Sequence, residues 1–90
     1  MFKTIIIHLR IHQRRPEIED EDVITAWMNA FVVRERTDSS PGAVRYLAAA
    51  GLDRKNRLLE MIGVETEDDG VVIYHAMKLT DKMKTELGLL

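Results

Sequence analysis

Ninety residues, 46% of them hydrophobic and 31% charged, fit one folded domain (1–90) and argue against disorder. A net charge of −2 and a pI near 5.9 exclude the global positive field that draws nucleic acid to a protein, although basic and acidic residues are segregated enough for a local patch. With no cysteine there are no disulfides or thiolate metal sites, which fits a reducing compartment.

The run Met1–Ile7 is apolar but is broken by His8 and Arg10. It is too short to cross a bilayer, and no small-residue cleavage site follows it. A soluble, cytoplasmic protein with no membrane partner is therefore expected. Over residues 4–13, Ile5, Ile7, Leu9 and Ile11 alternate with Ile6, His8, Arg10 and His12. That is a period of two, and β-branched isoleucines are weak helix formers, so the residues themselves read as a strand, with a helix as the alternative.

Pro16 ends this first element. From Glu19 to Asn29 the spacing predicts a helix, with Val23, Trp27 and Ala30 near one face beside Ile24 and Met28. The acidic run Glu17–Asp22 opens it, and carboxylates there suit the positive end of the helix dipole. A divalent-metal site is the sharper reading of the same residues. Consecutive acids point in different directions around a helix, which weighs against it.

Phe31–Arg36 reads as a strand and Thr37–Gly42 as a loop. Three apolar runs follow: Arg45–Ala50, Arg57–Ile62 and Val71–Lys78. The polar turns between them are Asp53–Asn56 and Asp68–Gly70, and Asp-Gly between two apolar runs is a strong hairpin signal. A short helix is expected over Asp81–Leu87, with Thr80 as N-cap and Gly88 just past its end. The sum is an α+β domain of two layers, an antiparallel sheet of about four strands with at least two helices packed on it.

Few residues invite chemistry. On a regular strand His75 would share a face with Ile73 and Met77. It reads either as a structural histidine bonded to backbone or to Glu60, or as a general acid or base, the role histidine is best suited to at neutral pH. Glu60 sits among Leu58, Leu59, Met61 and Ile62 and needs a partner, for which Arg45 on a neighbouring strand is a candidate. Arg54, Lys55 and Arg57 flank a turn. They read as a solvated hairpin tip, or as donors to phosphate in RNA. His8 and His12 are four apart but lack a third ligand, so no metal site and no cofactor is expected. No glycine-rich phosphate loop, serine elbow or catalytic carboxylate pair is present.

The order of segments resembles a known family. A basic early stretch is followed by Glu21-Asp22-Val23 opening a helix with Ala26, then Arg45-Tyr46-Leu47, Gly51-Leu52-Asp53, Arg57-Leu58-Leu59 and Val72-Ile73-Tyr74-His75-Ala76-Met77. Over residues 8–79 this is similar to the BrnT-like proteins of the RelE/ParE toxin superfamily. The resemblance implies an antiparallel sheet carrying helices, with residues 4–13 in the first helix. It also implies a type II toxin–antitoxin pair, in which a metal-independent ribonuclease is neutralised by a cognate antitoxin.

Carried over by position, Arg45, Arg57, His75 and Lys78 are the implied catalytic residues. The resemblance matches Arg14 or Arg15 to the basic end of the first helix, and these two together with the turn residues Arg54 and Lys55 are the expected RNA contacts. His75 stands where such chains tend to have serine, Met77 replaces a basic residue, and the glycine usual near Arg15 is absent. These departures support a rival reading, a noncatalytic protein-interaction module that keeps the fold. Trp27 and Phe31 would serve a homodimer if they lie outside the core.

Overall fold

A computed structural model describes residues 2–36 and 44–90 of the chain; the loop expected over 37–42 lies outside them. Among the described residues the elements are β1 (Thr4–Ile7), α1 (Arg10–Arg14), α2 (Asp20–Met28), β2 (Val32–Arg36), β3 (Tyr46–Leu52), β4 (Leu58–Glu65), β5 (Gly70–Lys78) and α3 (Asp81–Glu86). The strands form one sheet in the order β1-β5-β4-β3-β2.

The meander is present: β2, β3, β4 and β5 pair antiparallel in succession. The sheet has five strands, however, and it is mixed, because β1 lies parallel to β5 with Thr4 beside Gly70 and Ile7 beside Ile73. Residues 4–13 thus divide between the two expectations. Ile5, Ile6 and Ile7 pair as a strand, and the helix, which includes Ile11, begins only at Arg10, where the His8 Nδ1 accepts the Arg10 N–H at 3.1 Å.

Helices cover both faces, so the two-layer expectation is corrected to three. On one face Ile11 of α1 and Val23, Ala26 and Trp27 of α2 pack over Leu47, Ala49, Leu59, Met61, Val71, Ile73 and Ala76. On the other, Met83 of α3 and Leu87 just beyond it cover Ala48, Ala50 and Ile62. The row Ala48-Ala49-Ala50 in the interior strand β3 serves both faces, since small side chains let helices approach from either side. Gly51 marks the tightest approach, where a Cβ would overlap the Ala26 carbonyl oxygen of α2.

The caps follow the sequence. The Glu19 N–H is accepted by the Asp22 side chain at 3.0 Å, closing the α2 start. The Thr80 Oγ1 accepts the Met83 N–H at 3.2 Å, and Gly88 takes a φ of 76° after α3. Trp27 is buried against Phe2, at 6.4 Å between ring centroids, which removes it from any homodimer surface, whereas Phe31 is exposed.

One irregularity matters for function. Ile62 pairs with His75 but Gly63 pairs with Ile73, so Tyr74 is an extra residue in β5. The bulge breaks the alternation expected for this run. His75 therefore lies on the side of Ile62 and α3, opposite Ile73.

Candidate functional site

The arginines separate into two populations. Arg54 and Arg57 flank the β3–β4 turn and are held by carboxylates. Arg54 donates from Nε to Asp22 at 2.9 Å, from Nη1 to Glu21 at 2.6 Å and from Nη2 to Glu19 at 3.0 Å. Arg57 donates from Nε to Asp53 at 2.7 Å, from Nη2 to Asp22 at 3.2 Å and from Nη1 to the Glu17 carbonyl at 3.2 Å. Lys55 Nζ lies 3.8 Å from Asp22.

Asp22 and Asp53 are themselves buried. Burial pushes both carboxyls up, but hydrogen bonds and cations overcome it. For Asp22 these are the Glu19 N–H with Arg54 and Lys55; for Asp53 they are Arg57 and the Lys55 N–H; both groups titrate below the usual aspartate range. The cluster is a clasp between the start of α2 and the β3–β4 turn. It consumes Arg54 and most of Arg57, so the acidic run is matched by arginines. Among the described residues no set of His, Asp and Glu converges as metal ligands.

Arg45 is likewise engaged, by Glu35 at 3.0 Å and Glu65 at 3.2 Å. It precedes the start of β3, whereas Arg57 follows its far end; seven residues of strand separate the two ends by roughly 20 Å. Arg45 and Arg57 therefore do not converge. Arg45 is also not the partner of Glu60.

Glu60 is buried and fully bonded. It accepts the Thr80 N–H at 2.8 Å, the Thr80 hydroxyl at 2.6 Å and the His75 Nε2 at 2.9 Å. Burial pushes this carboxyl up, but the bonds from Thr80 and His75 bring it below the usual glutamate range. An ionised carboxylate only accepts, so the neutral imidazole carries its proton on Nε2 and leaves Nδ1 with a free lone pair. Glu60 also fixes the ring, as the structural reading of His75 anticipated.

The second population lies along the β5 edge. β1 pairs with β5 only as far as Ile73, and α1 fills the place beyond it. There a small depression of about 80 Å³ is lined by Arg10, Arg14, Arg15, Tyr74 and His75. A second depression of about 320 Å³ adjoins it through Arg15, with Arg57 and Lys78 around a floor of Ile18, Leu59 and Met77 and Glu17 at the rim. Arg15 crosses between them, its Nη2 at 3.4 Å from Met77 Sδ. Among the described residues Arg10, Arg14, Arg15 and Lys78 form no ion pair.

Of the eight expected site positions, the fold thus groups Arg14, Arg15, Arg57, His75 and Lys78 at one edge. It places Arg54 and Lys55 in the clasp and Arg45 at the other end of the sheet. Arg10 was missed; once a helix is known to start there, its spacing of four from Arg14 gives it away. Comparison with protein-family models, with curated proteins and with solved structures finds no match to this chain.

Proposed function

We propose that this protein is a toxin-like, metal-independent ribonuclease that binds single-stranded RNA along the β5 edge. The observation that carries the reading is the gathering of Arg10, Arg14 and Arg15, without ion-pair partners among the described residues, around an imidazole oriented by a buried carboxylate, with Lys78 in the adjoining depression, on a chain whose net charge is negative. The resemblance to BrnT-like toxins supports the same assignment.

The reaction needs three services. His75 Nδ1 accepts the proton of the substrate 2′-hydroxyl as its oxygen attacks phosphorus, and Glu60 stabilises the resulting imidazolium. Arg14 and Arg15 neutralise the charge that builds on the phosphorane oxygens. The P–O5′ bond then breaks, and Lys78 returns a proton to the departing oxygen. The products are a 2′,3′-cyclic phosphate and a 5′-hydroxyl. Arg45, in the sequence reading a catalytic group, has no part in this version, and Arg54 and Lys55 act as the clasp.

A neutralising antitoxin would cover the basic edge, and carboxylates on the covering segment would match Arg10, Arg14 and Arg15. The test is purified protein with mixed RNA, with and without ribosomes, followed by analysis of the new ends. Cyclic phosphate ends that disappear in His75→Ala are expected. RNA left intact under both conditions refutes the reading.

A further inference from the structure

The two adjoining depressions differ in size and lining, and the difference assigns a direction to the bound strand. The smaller, at about 80 Å³, holds little more than a phosphate group and is walled by arginines and His75. The larger, at about 320 Å³, is within the range of pockets that take small organic ligands, of roughly 300–1,000 Å³. Its floor is apolar: Ile18 and Leu59 are buried and Met77 half-buried. Such a floor is suited to the face of a nucleobase, while the cations above it suit the adjacent phosphate.

We propose that this larger depression is the subsite for the nucleoside on the 3′ side of the scissile phosphate, the one that leaves with a 5′-hydroxyl. The assignment rests on the ribonuclease reading above and deepens it. If His75 takes the 2′-hydroxyl proton, the upstream ribose lies at the small depression. The proton donor to O5′ must then stand on the downstream side, and Lys78 is the lysine and the exposed cation lining the larger depression, beside Arg15 and Arg57. Arg15, common to both, is placed to hold the phosphate between them.

Arg57 acts here as a positioning residue. Its Nη1 bond to the Glu17 carbonyl fixes the rim, and its other nitrogens are tied to Asp53 and Asp22. Glu17 puts a carboxylate at the same rim, where it can accept from an exocyclic amine. Adenine, guanine and cytosine offer that donor and uracil does not, so the subsite disfavours uridine as the leaving nucleoside.

The test titrates full-length protein with adenosine 5′-monophosphate and, separately, adenosine 3′-monophosphate, following the methionine methyl resonances. Met77 is the methionine at the floor, and Met28 is an exposed control on α2. The 5′-nucleotide should move the Met77 methyl at lower concentration than the 3′-nucleotide, leaving Met28 unmoved. Lys78→Ala should weaken 5′-nucleotide binding on the order of tenfold without changing the fold, since Lys78 is exposed. A Met77 methyl that responds to neither nucleotide, or that prefers the 3′ form, overturns the subsite. Because this readout requires no turnover, RNA cleavage by protein whose Met77 is silent refutes the subsite alone. Selective 5′-nucleotide binding by a protein that cuts no RNA supports the pocket and refutes the ribonuclease.

Discussion

Replacing Asp22 by alanine tests whether the clasp is a principal support of this fold. The carboxylate is fully buried and receives Arg54 at 2.9 Å, Arg57 at 3.2 Å and the Glu19 N–H at 3.0 Å. Removing one partner of a buried ion pair costs about 3–5 kcal/mol when the other charge is stranded. Here both guanidiniums reach solvent and keep other carboxylates, Arg57 at Asp53 and Arg54 at Glu19 and Glu21. A loss of about 2–3 kcal/mol is therefore expected, against a total of about 5–13 kcal/mol for a domain of this length.

In urea unfolding with an unchanged slope, the midpoint should fall by about 1–2 M. Asp22→Asn, which keeps the shape and one acceptor, should lose less than the alanine variant. An alanine variant that unfolds at the wild-type midpoint refutes the clasp as a source of stability. The same groups set the acid limit. Asp22, Asp53 and Glu60 all titrate below their ordinary values, so each binds its proton more weakly folded than unfolded. Their stabilisation is complete above the unfolded values and is lost as pH falls through the lower folded ones. Stability should thus decline from about pH 4.5 downward, and Asp22→Asn should flatten that decline.

Other outcomes follow from single contacts. Thr80→Ala removes the α3 cap and the hydroxyl bond to Glu60 while keeping the backbone N–H bond, so thermal unfolding should report a loss of about 1–2 kcal/mol. Gly51→Ala drives a methyl into the Ala26 carbonyl and should cost at least about 2 kcal/mol by chemical denaturation, with α2 displaced. Arg15→Ala should weaken binding of single-stranded RNA and lower the salt slope by about 0.7, as expected for one phosphate contact, whereas Arg45→Ala should alter neither. Arg14→Glu with Arg15→Glu should abolish RNA binding while the protein remains monodisperse by light scattering.

The meander, the long helix and the last helix were legible because each rests on local chemistry. Asp69 before Gly70 takes a left-handed φ of 63°, Thr80 caps through its own hydroxyl, and the carboxylates of α2 sit at its first turn. The third layer was hidden, because nothing in Ala48-Ala49-Ala50 says that two helices approach from opposite sides. Residues 4–13 defeated a single-period reading because the chain changes element at His8. Ile5, Ile6 and Ile7 obey a strand pairing with β5, which lies nearly seventy residues away in sequence. At the site, the bulge at Tyr74 moved His75 to the other face, an event that no two-residue periodicity announces. The pairing of Arg54 and Arg57 with Asp22 was equally invisible, since it depends on how α2 lies against the β3–β4 turn.

The cations of the β5 edge admit a second physical explanation, and the fold itself separates the two. β5 is nine residues long and β1 covers four of them, so the strand presents an unpaired edge from Tyr74 onward. Edges of this kind are often guarded by charge to prevent pairing with another chain. Guarding would be served by any charge of either sign, paired or not, and would be indifferent to the orientation of His75. In this protein every arginine of the β3–β4 turn is matched by a carboxylate, while among the described residues Arg10, Arg14 and Arg15 form no ion pair in a chain with more acidic than basic residues. Fixing an imidazole also consumes a buried glutamate that an apolar residue could replace with less desolvation. Charge reversal at Arg14 and Arg15 keeps the guard and destroys an anion site. Loss of RNA binding without self-association would therefore assign the edge to its ligand, whereas RNA binding unchanged by the reversal would leave the arginines the role of protecting the sheet.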